Sequence, residues 1–327
     1  MSCYDDIYKN FIKNINVNDY IFFEEEINSY VDDGKMEIRN SISSNAKNSS
    51  GIIMFKNLSD MYLDALIDRS FKGQKYNNQY LCDFVFAKLM EVLPVYIQSE
   101  NFENYEFRPS QIGISLLVLI ACKQIDVVEK LYDGIINSIT DGTVRAAINN
   151  GDEPPVPQKL FILLTEMLAS ERKQTVDWGR AGIPVERFYC DFVREALYET
   201  DEVILTKWLT GLCDQHLKWC SRFPAVSREA SFLGYEIRVP VHLWPFEYHA
   251  VKNFRARHGL STPEIEHPLM KTIFSDIPTP DFSQWQKPEW FTEICDMIFE
   301  FNPDVAFVKE IFLITNNPGP PEYEVNG

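Results

Sequence analysis

The residues able to do chemistry gather late in the chain. All five histidines, His216, His242, His249, His258 and His267, lie in the second half. A zinc site favours two histidines one helical turn apart. From His242 onward the spacings are seven, nine and nine residues, and Glu247 and His249, two apart, face different sides of a helix. The expectation is helix-end and partner-bonded histidines, with no metal and no cofactor. Cys213 and His216 are three apart, which places thiol and imidazole on one helix face. A thiolate nucleophile needs a positive, partly exposed setting and an orienting third group. Trp208, Leu212 and Trp219 around Cys213 predict a packed interior instead. Pro303, Asp304 and Lys309 share letters with a nuclease metal motif, whose acid and lysine sit on adjacent strands. A helix start, with proline and acid in the first turn, explains them better. The sequence has no Gly-x-Gly-x-x-Gly, no phosphate loop and no Gly-x-Ser-x-Gly elbow, so no catalytic residue is assigned.

Acidic residues form a second group. Glu24, Glu25 and Glu26 run together, and Asp32 and Asp33 follow. Three consecutive carboxylates span several faces of a helix. They read either as a solubilising face or as a docking patch for a basic partner, in which Glu24, Glu25, Asp32 and Asp33 would raise the association rate by charge complementarity. The acid excess is general. Residues 1–150 carry 21 acids and 14 bases, residues 151–327 carry 27 and 17, and the formal charge is −17. Such a surface repels phosphate, which argues against nucleic acid or an anionic membrane as a partner.

The elements that hold these residues read as helices. Tyr62, Leu63, Leu66 and Ile67 form a stripe at helical spacing, with Ser59 and Asp60 before it as capping candidates. Leu81, Phe84, Val85 and Leu89 form the next, and Pro94 ends it. Pro109 and Ser110 open a third helix with Ile112, Leu116, Leu119 and Ile120 inward. Val127, Val128, Leu131, Tyr132 and Ile135 form a fourth, joined to the third by a Lys123–Asp126 turn. The polar, proline-rich stretch Thr140–Gln158 is the best boundary in the chain. Stripes then resume at Leu160, Leu163, Leu164 and Met167; at Phe188, Phe192 and Ala196; at Ile204, Trp208 and Leu212; and at Trp290, Ile294, Met297 and Ile298. Tyr235 to Val241 is the one candidate extended piece, and the end, NNPGPPEYEVNG, reads as a loosely held tail. Without strand–helix alternation the fold class is all-α, an irregular multi-helix domain. It divides into an N-terminal helical lobe over 1–150 and a C-terminal one over 151–327, packed intimately because each alone buries a modest core.

With 45% hydrophobic and 13% aromatic residues the chain has ample core and is not disordered. The cysteines, Cys3, Cys82, Cys122, Cys190, Cys213, Cys220 and Cys295, are odd in number and widely spaced, which fits a reducing compartment. The start, MSCYDDIYKNF, lacks the features of a signal peptide. The apolar run from Ile112 to Cys122 is far short of the ~20 residues a membrane helix needs. A cytoplasmic location follows as an expectation.

One segment carries a family resemblance. Val241 to Pro278 reads VHLWPFEYHAVKNFRARHGLSTPEIEHPLMKTIFSDIP. Trp244, Phe246, Glu247 and Ala250 form an aromatic–aromatic–Glu–small pattern on one amphipathic helix. His267, Pro268 and Leu269 stand where a proline-containing short helix would follow. This pattern resembles the C-terminal helical domain of PoNe-type immunity proteins, bacterial antidotes to secreted DNA-degrading toxins often delivered by type VI secretion. Pro245, between Trp244 and Phe246, departs from it and is tolerable only in the first turn of the helix. Trp244, Tyr248 and Val251 fall at i, i+4 and i+7, a buried stripe. Glu247 could favour the helix N-terminus or bond a buried partner. Trp244, Phe246, Glu247, His267 and Pro268 are therefore assigned as scaffold.

The resemblance implies a binding protein and not an enzyme, a stoichiometric inhibitor that occludes the active site of a cognate toxin with a basic surface. A helical scaffold or adaptor with another protein partner is the alternative. A helical hydrolase using the late histidines is a third reading.

Overall fold

Two helices are so apolar that they must be enclosed on every side, and they set the architecture. In PSQIGISLLVLIA, Pro109–Ala121, every residue from Ile112 to Ile120 is buried. In LFILLTEMLASE, Leu160–Glu171, the same holds from Leu160 to Thr165. A helix without a polar face can only be central. The spacing called four inward residues in the first of these; Ile114, Leu117 and Val118 are buried as well, because other helices cover the remaining sides.

The computed structural model describes residues 30–33, 35, 50–71, 73–93, 109–148, 156–220, 235, 239–275, 277–288, 291–293, 295–296, 299 and 303–309. Its helices are α1 (Ser50–Phe71), α2 (Asn78–Val92), α3 (Pro109–Ala121), α4 (Ile125–Lys130), α5 (Tyr132–Thr140), α6 (Thr143–Ile148), α7 (Leu160–Glu171), α8 (Trp178–Ala181), α9 (Arg187–Glu195), α10 (Glu202–Cys220) and α11 (Phe246–Arg257), with 3-10 helices at Val239–Leu243, Pro268–Lys271, Phe282–Gln284 and Pro303–Val305. Among the described residues there is no strand, and a single parallel bridge pairs Gln158 with Val185. The fold is all-α.

α1 and α2 form an antiparallel pair. α2 leans on α3, and α3 is held between α7 and α11. α9 packs on α7, and α10 on α11. One hydrophobic cluster runs through all of these, from Val31 to Val308. No helix among the described residues is long and apolar enough to cross a membrane.

α3 and α7 approach each other closely. A Cβ built on Gly113 would lie 2.4 Å from the Phe161 backbone nitrogen and 2.6 Å from the Leu160 carbonyl carbon. Backbone cannot yield as a flexible side chain can, so glycine is required here for proximity. The contact crosses the Thr140–Gln158 break and joins the two halves of the chain.

Several local expectations need correction. Ser59 and Asp60 do not cap a helix, because α1 begins at Ser50 and runs through them. Ser59 is fully buried, with its hydroxyl 2.8 Å from the Lys56 carbonyl oxygen and 3.3 Å from the Glu91 carboxylate on α2. The shorter contact is the back-bond to the preceding turn that a serine inside a helix can make. The fourth helix is two, broken at the fully buried Leu131, whose N–H bonds the Val128 carbonyl. The extended piece over Tyr235–Val241 is replaced at its end by the Val239–Leu243 3-10 helix. Pro303 does open a 3-10 turn. The stripe at Trp290, Ile294, Met297 and Ile298 lies outside the described residues, as do Glu24 and Glu25.

Gly113→Ala should force α3 from α7 and destabilise the protein by about 1–3 kcal/mol, the usual range for overpacking. The denaturant midpoint should fall with no change in slope; an unchanged midpoint would show that the two backbones can separate freely.

Candidate functional site

Pro245 is the residue immediately before α11. It supplies no N–H, and a helix start is where none is needed. α11 then turns FEYHAVKNFRAR into the protein interior: Phe246, Glu247, Tyr248, Ala250, Val251, Phe254 and Arg255 are all buried. Three of the polar side chains on it act on other helices. Asn253 donates to the Ile120 and Ala121 carbonyls, at 2.9 and 2.8 Å, at the C-terminus of α3. Arg255, 1% exposed, donates to the carbonyls of Ala196, Leu197 and Glu199 beyond the end of α9, and to Ser261. These loop carbonyls have no helix or strand ladder to supply their donors, and Arg255 supplies them. Burial lowers the Arg255 pKa, with Glu199 pulling the other way. Arg257, at the exposed end, bonds Asp126, Glu129 and Glu171, tying α4 to α7.

Glu247 makes the most consequential contact. Its Oε2 lies 2.7 Å from His216 Nδ1 on α10, and both side chains are 1% exposed. His216 Nε2 lies 3.0 Å from the His242 carbonyl oxygen. A carbonyl only accepts, so Nε2 donates to it, and Nδ1 faces the Glu247 carboxyl group, an arrangement that favours the protonated ring. Burial works against that charge; Cys220 and the Glu247 carboxylate outweigh it and hold the His216 pKa well above the ordinary imidazole value. Among the described residues Glu247 Oε1 has no hydrogen-bond partner, so the carboxylate depends on His216 for compensation. The rings of Phe246 and Tyr235 meet His216 edge-on at 5.6 and 6.0 Å, and the Tyr235 hydroxyl bonds that of Tyr189 on α9. Burial pushes both tyrosines well above the usual phenol range.

Cys220, His216 and Glu247 are the residue types of a thiol–imidazole–acid triad. The geometry argues against that use. Cys220 is 0% exposed, and burial raises its thiol even though His216 pulls it down. Both imidazole nitrogens are already committed, one to a carboxylate and one to a carbonyl, so neither is free to take a thiol proton. The Cys213–His216 pair of the sequence is likewise not a nucleophile and base. Cys213 is buried with its pKa raised well above the thiol value by burial and by nearby Glu247, while His216 faces Glu247. Among the described residues no group of three or more His, Cys, Asp or Glu could hold a metal ion.

The remaining assigned residues fall in different places. Trp244 is 2% exposed and stands against Phe246 at 6.0 Å. It also borders a small cavity of about 90 Å³ with Leu63, Phe84 and Ile114, well below the ~300 Å³ of typical ligand sites. His267 caps the Pro268–Lys271 helix: its Nδ1 accepts from the Leu269 N–H at 3.2 Å, and Nε2 faces Asp214 at 3.4 Å. Burial lowers its pKa. Pro268 follows at the first helical position and is exposed. Asp32 and Asp33 are exposed in a short helical piece, Asp32 facing Lys35 at 3.8 Å. At the Arg257 cluster, burial and the neighbouring Glu171 carboxylate push Glu129 up to about 7.

The sequence pointed to Glu247 and to His216 separately. Their pairing across 31 residues, and the roles of Cys220, Tyr189, Tyr235 and Arg255, had no signal in local spacing. A charged residue amid a run of buried apolar ones was the available hint, since such a residue needs a partner. No family model, no curated protein and no solved structure matches the chain.

His216→Ala or Glu247→Ala alone should cost about 3–5 kcal/mol, because each strands a buried charge. The double variant His216→Leu with Glu247→Leu should lose much less than the sum; additive losses in chemical denaturation would mean the two are not coupled. The pH dependence follows from the raised His216 pKa. An unfolded histidine titrates near 6.5, whereas the folded pair keeps its proton to higher pH. The stabilisation is complete below about pH 6.5 and is lost as pH rises through the folded value. Stability of the wild type should therefore begin to fall above about pH 6.5, before thiols ionise. The double variant should lack that phase, and its persistence there would assign it to another group.

Proposed function

We propose that the protein is an immunity protein that binds a cognate secreted bacterial toxin acting on nucleic acid and neutralises it by occluding its active site. The observation that carries the reading is the segment Trp244, Phe246, Glu247 with His267 and Pro268, whose pattern resembles PoNe-type immunity proteins. Support comes from its physical role: Glu247 anchors the interior through His216 at 2.7 Å, and His267 caps the next turn. A motif fixed by the fold is what a family of binders with variable surfaces would share, because partners differ while the scaffold does not.

The acid excess of the chain supplies the mechanism. A toxin that cleaves nucleic acid presents Arg and Lys donors to phosphates. Carboxylates on this protein's surface compete for those donors through charge-assisted hydrogen bonds, and the field of −17 charges speeds the encounter. The protein acts in the cytoplasm, where the toxin's target lies, by binding and without a cofactor or catalytic step.

Co-expression with the toxin encoded beside this gene should restore growth. Continued killing, with both proteins soluble, would overturn the reading and favour a helical adaptor with a different partner.

A further inference from the structure

We infer that the outward end of α10 is the docking surface for a basic partner, with Val203 and Ile204 as its apolar centre and Glu199, Asp201 and Glu202 as its acidic rim. This rests on the toxin-binding reading above and goes beyond it by naming the face that engages the toxin.

The apolar centre stands outside the core. Of the four exposed large hydrophobics among the described residues, Tyr198, Val203 and Ile204 fall within one short stretch, at 42%, 67% and 43% exposure. Single exposed apolar residues are ordinary, but a cluster is not. α10 turns Leu205, Leu209 and Leu212 into the core, and Val203, two residues before Leu205, points the opposite way. A β-branched residue on a solvent face costs helix propensity and gains nothing from burial. Tyr198 adds a fixed aromatic surface. Its ring packs edge-on against Phe254 at 6.1 Å and His258 at 5.4 Å, and its hydroxyl is 3.1 Å from that of Ser170. A rigid aromatic loses little freedom on binding, which suits an interface anchor.

The rim sets the chemistry of the occupant. EALYETDE, Glu195 to Glu202, contains four acids and no Lys or Arg. Glu195 is held by Arg194 at 2.7 Å; Glu199, Asp201 and Glu202 remain around the apolar pair. Two of these carboxylates are fixed in place. Glu199 Oε1 accepts the N–H groups of Thr200 and Asp201 at 2.7 and 2.8 Å, and Asp201 Oδ1 accepts those of Val203 and Ile204 at 2.8 and 3.1 Å. Their free oxygens are therefore preorganised. An exposed apolar pair preceded by two fixed carboxylates matches Arg and Lys side chains, whose aliphatic stems cover Val203 and Ile204 while their heads reach the acids. The phosphate-binding groove of a nucleic-acid-degrading toxin presents such a row.

The test uses the full-length protein and the purified, catalytically silenced toxin encoded beside its gene, measured by titration calorimetry and stopped-flow association. Val203→Arg with Ile204→Arg should weaken binding by about 30-fold or more, with the thermal midpoint unchanged because both sites are exposed. Asp201→Asn with Glu202→Gln keeps the helix cap and removes two charges. It should slow association by about tenfold at low salt and flatten its salt dependence. Unchanged affinity and association in both variants, beside a wild type that binds, would overturn the docking surface and leave the toxin-binding reading standing. No binding by the wild type would overturn both.

Discussion

Helix α11 is buried nearly all round while carrying Glu247, Asn253 and Arg255 on its inner turns, and that conflict organises the molecule. A buried polar group must find a partner or cost several kcal/mol. Each of these finds it on a different neighbour: Glu247 on α10, Asn253 on the last carbonyls of α3, Arg255 on the carbonyls that follow α9. The bonds that satisfy α11 therefore also hold its neighbours in place, and those of Asn253 close the C-terminal end of α3. Apolar packing decides that these helices collapse together. The polar contacts decide where each must stop, since only one axial position brings a given carbonyl to a given donor.

This division explains what was legible before the structure. Helical class, the start of α11 at Pro245 and the inward faces of α3 and α7 follow from local chemistry, which operates over a turn or two. Serine at position 59 reads locally as a cap, and the packing of α1 on α2, which brings Glu91 within 3.3 Å, is not visible in its own segment. His216 and Glu247 illustrate the limit most clearly. Each is anomalous in its own segment, but the distance that gives them meaning is set by the packing of α10 on α11. Arg255 is harder still. Its partners are backbone carbonyls, which have no letter in the sequence.

Charge is distributed in two regimes. Inside, His216 and Glu247 compensate each other beyond the reach of dissolved ions, and the Arg255 cation is spread over carbonyl dipoles. Outside, acids predominate, and Arg257 engages three carboxylates at once. Salt screens the second regime far more than the first. The interior contacts that fix the fold are thus the ones that dissolved salt affects least.

Six cysteines, Cys82, Cys122, Cys190, Cys213, Cys220 and Cys295, are free thiols, and all except Cys190 are buried. Burial holds them as inert hydrophobes, with Cys82 and Cys122 pushed up to about 12. They sit on α2, just beyond α3, on α9, on α10 and near the C-terminal end of the described chain, so both halves of the helical assembly contain some. A thiol reagent in water can reach the buried ones only when their surroundings open. The unmodified protein thus carries its own set of opening clocks: the order in which these sulfurs are labelled is the order in which its helices part.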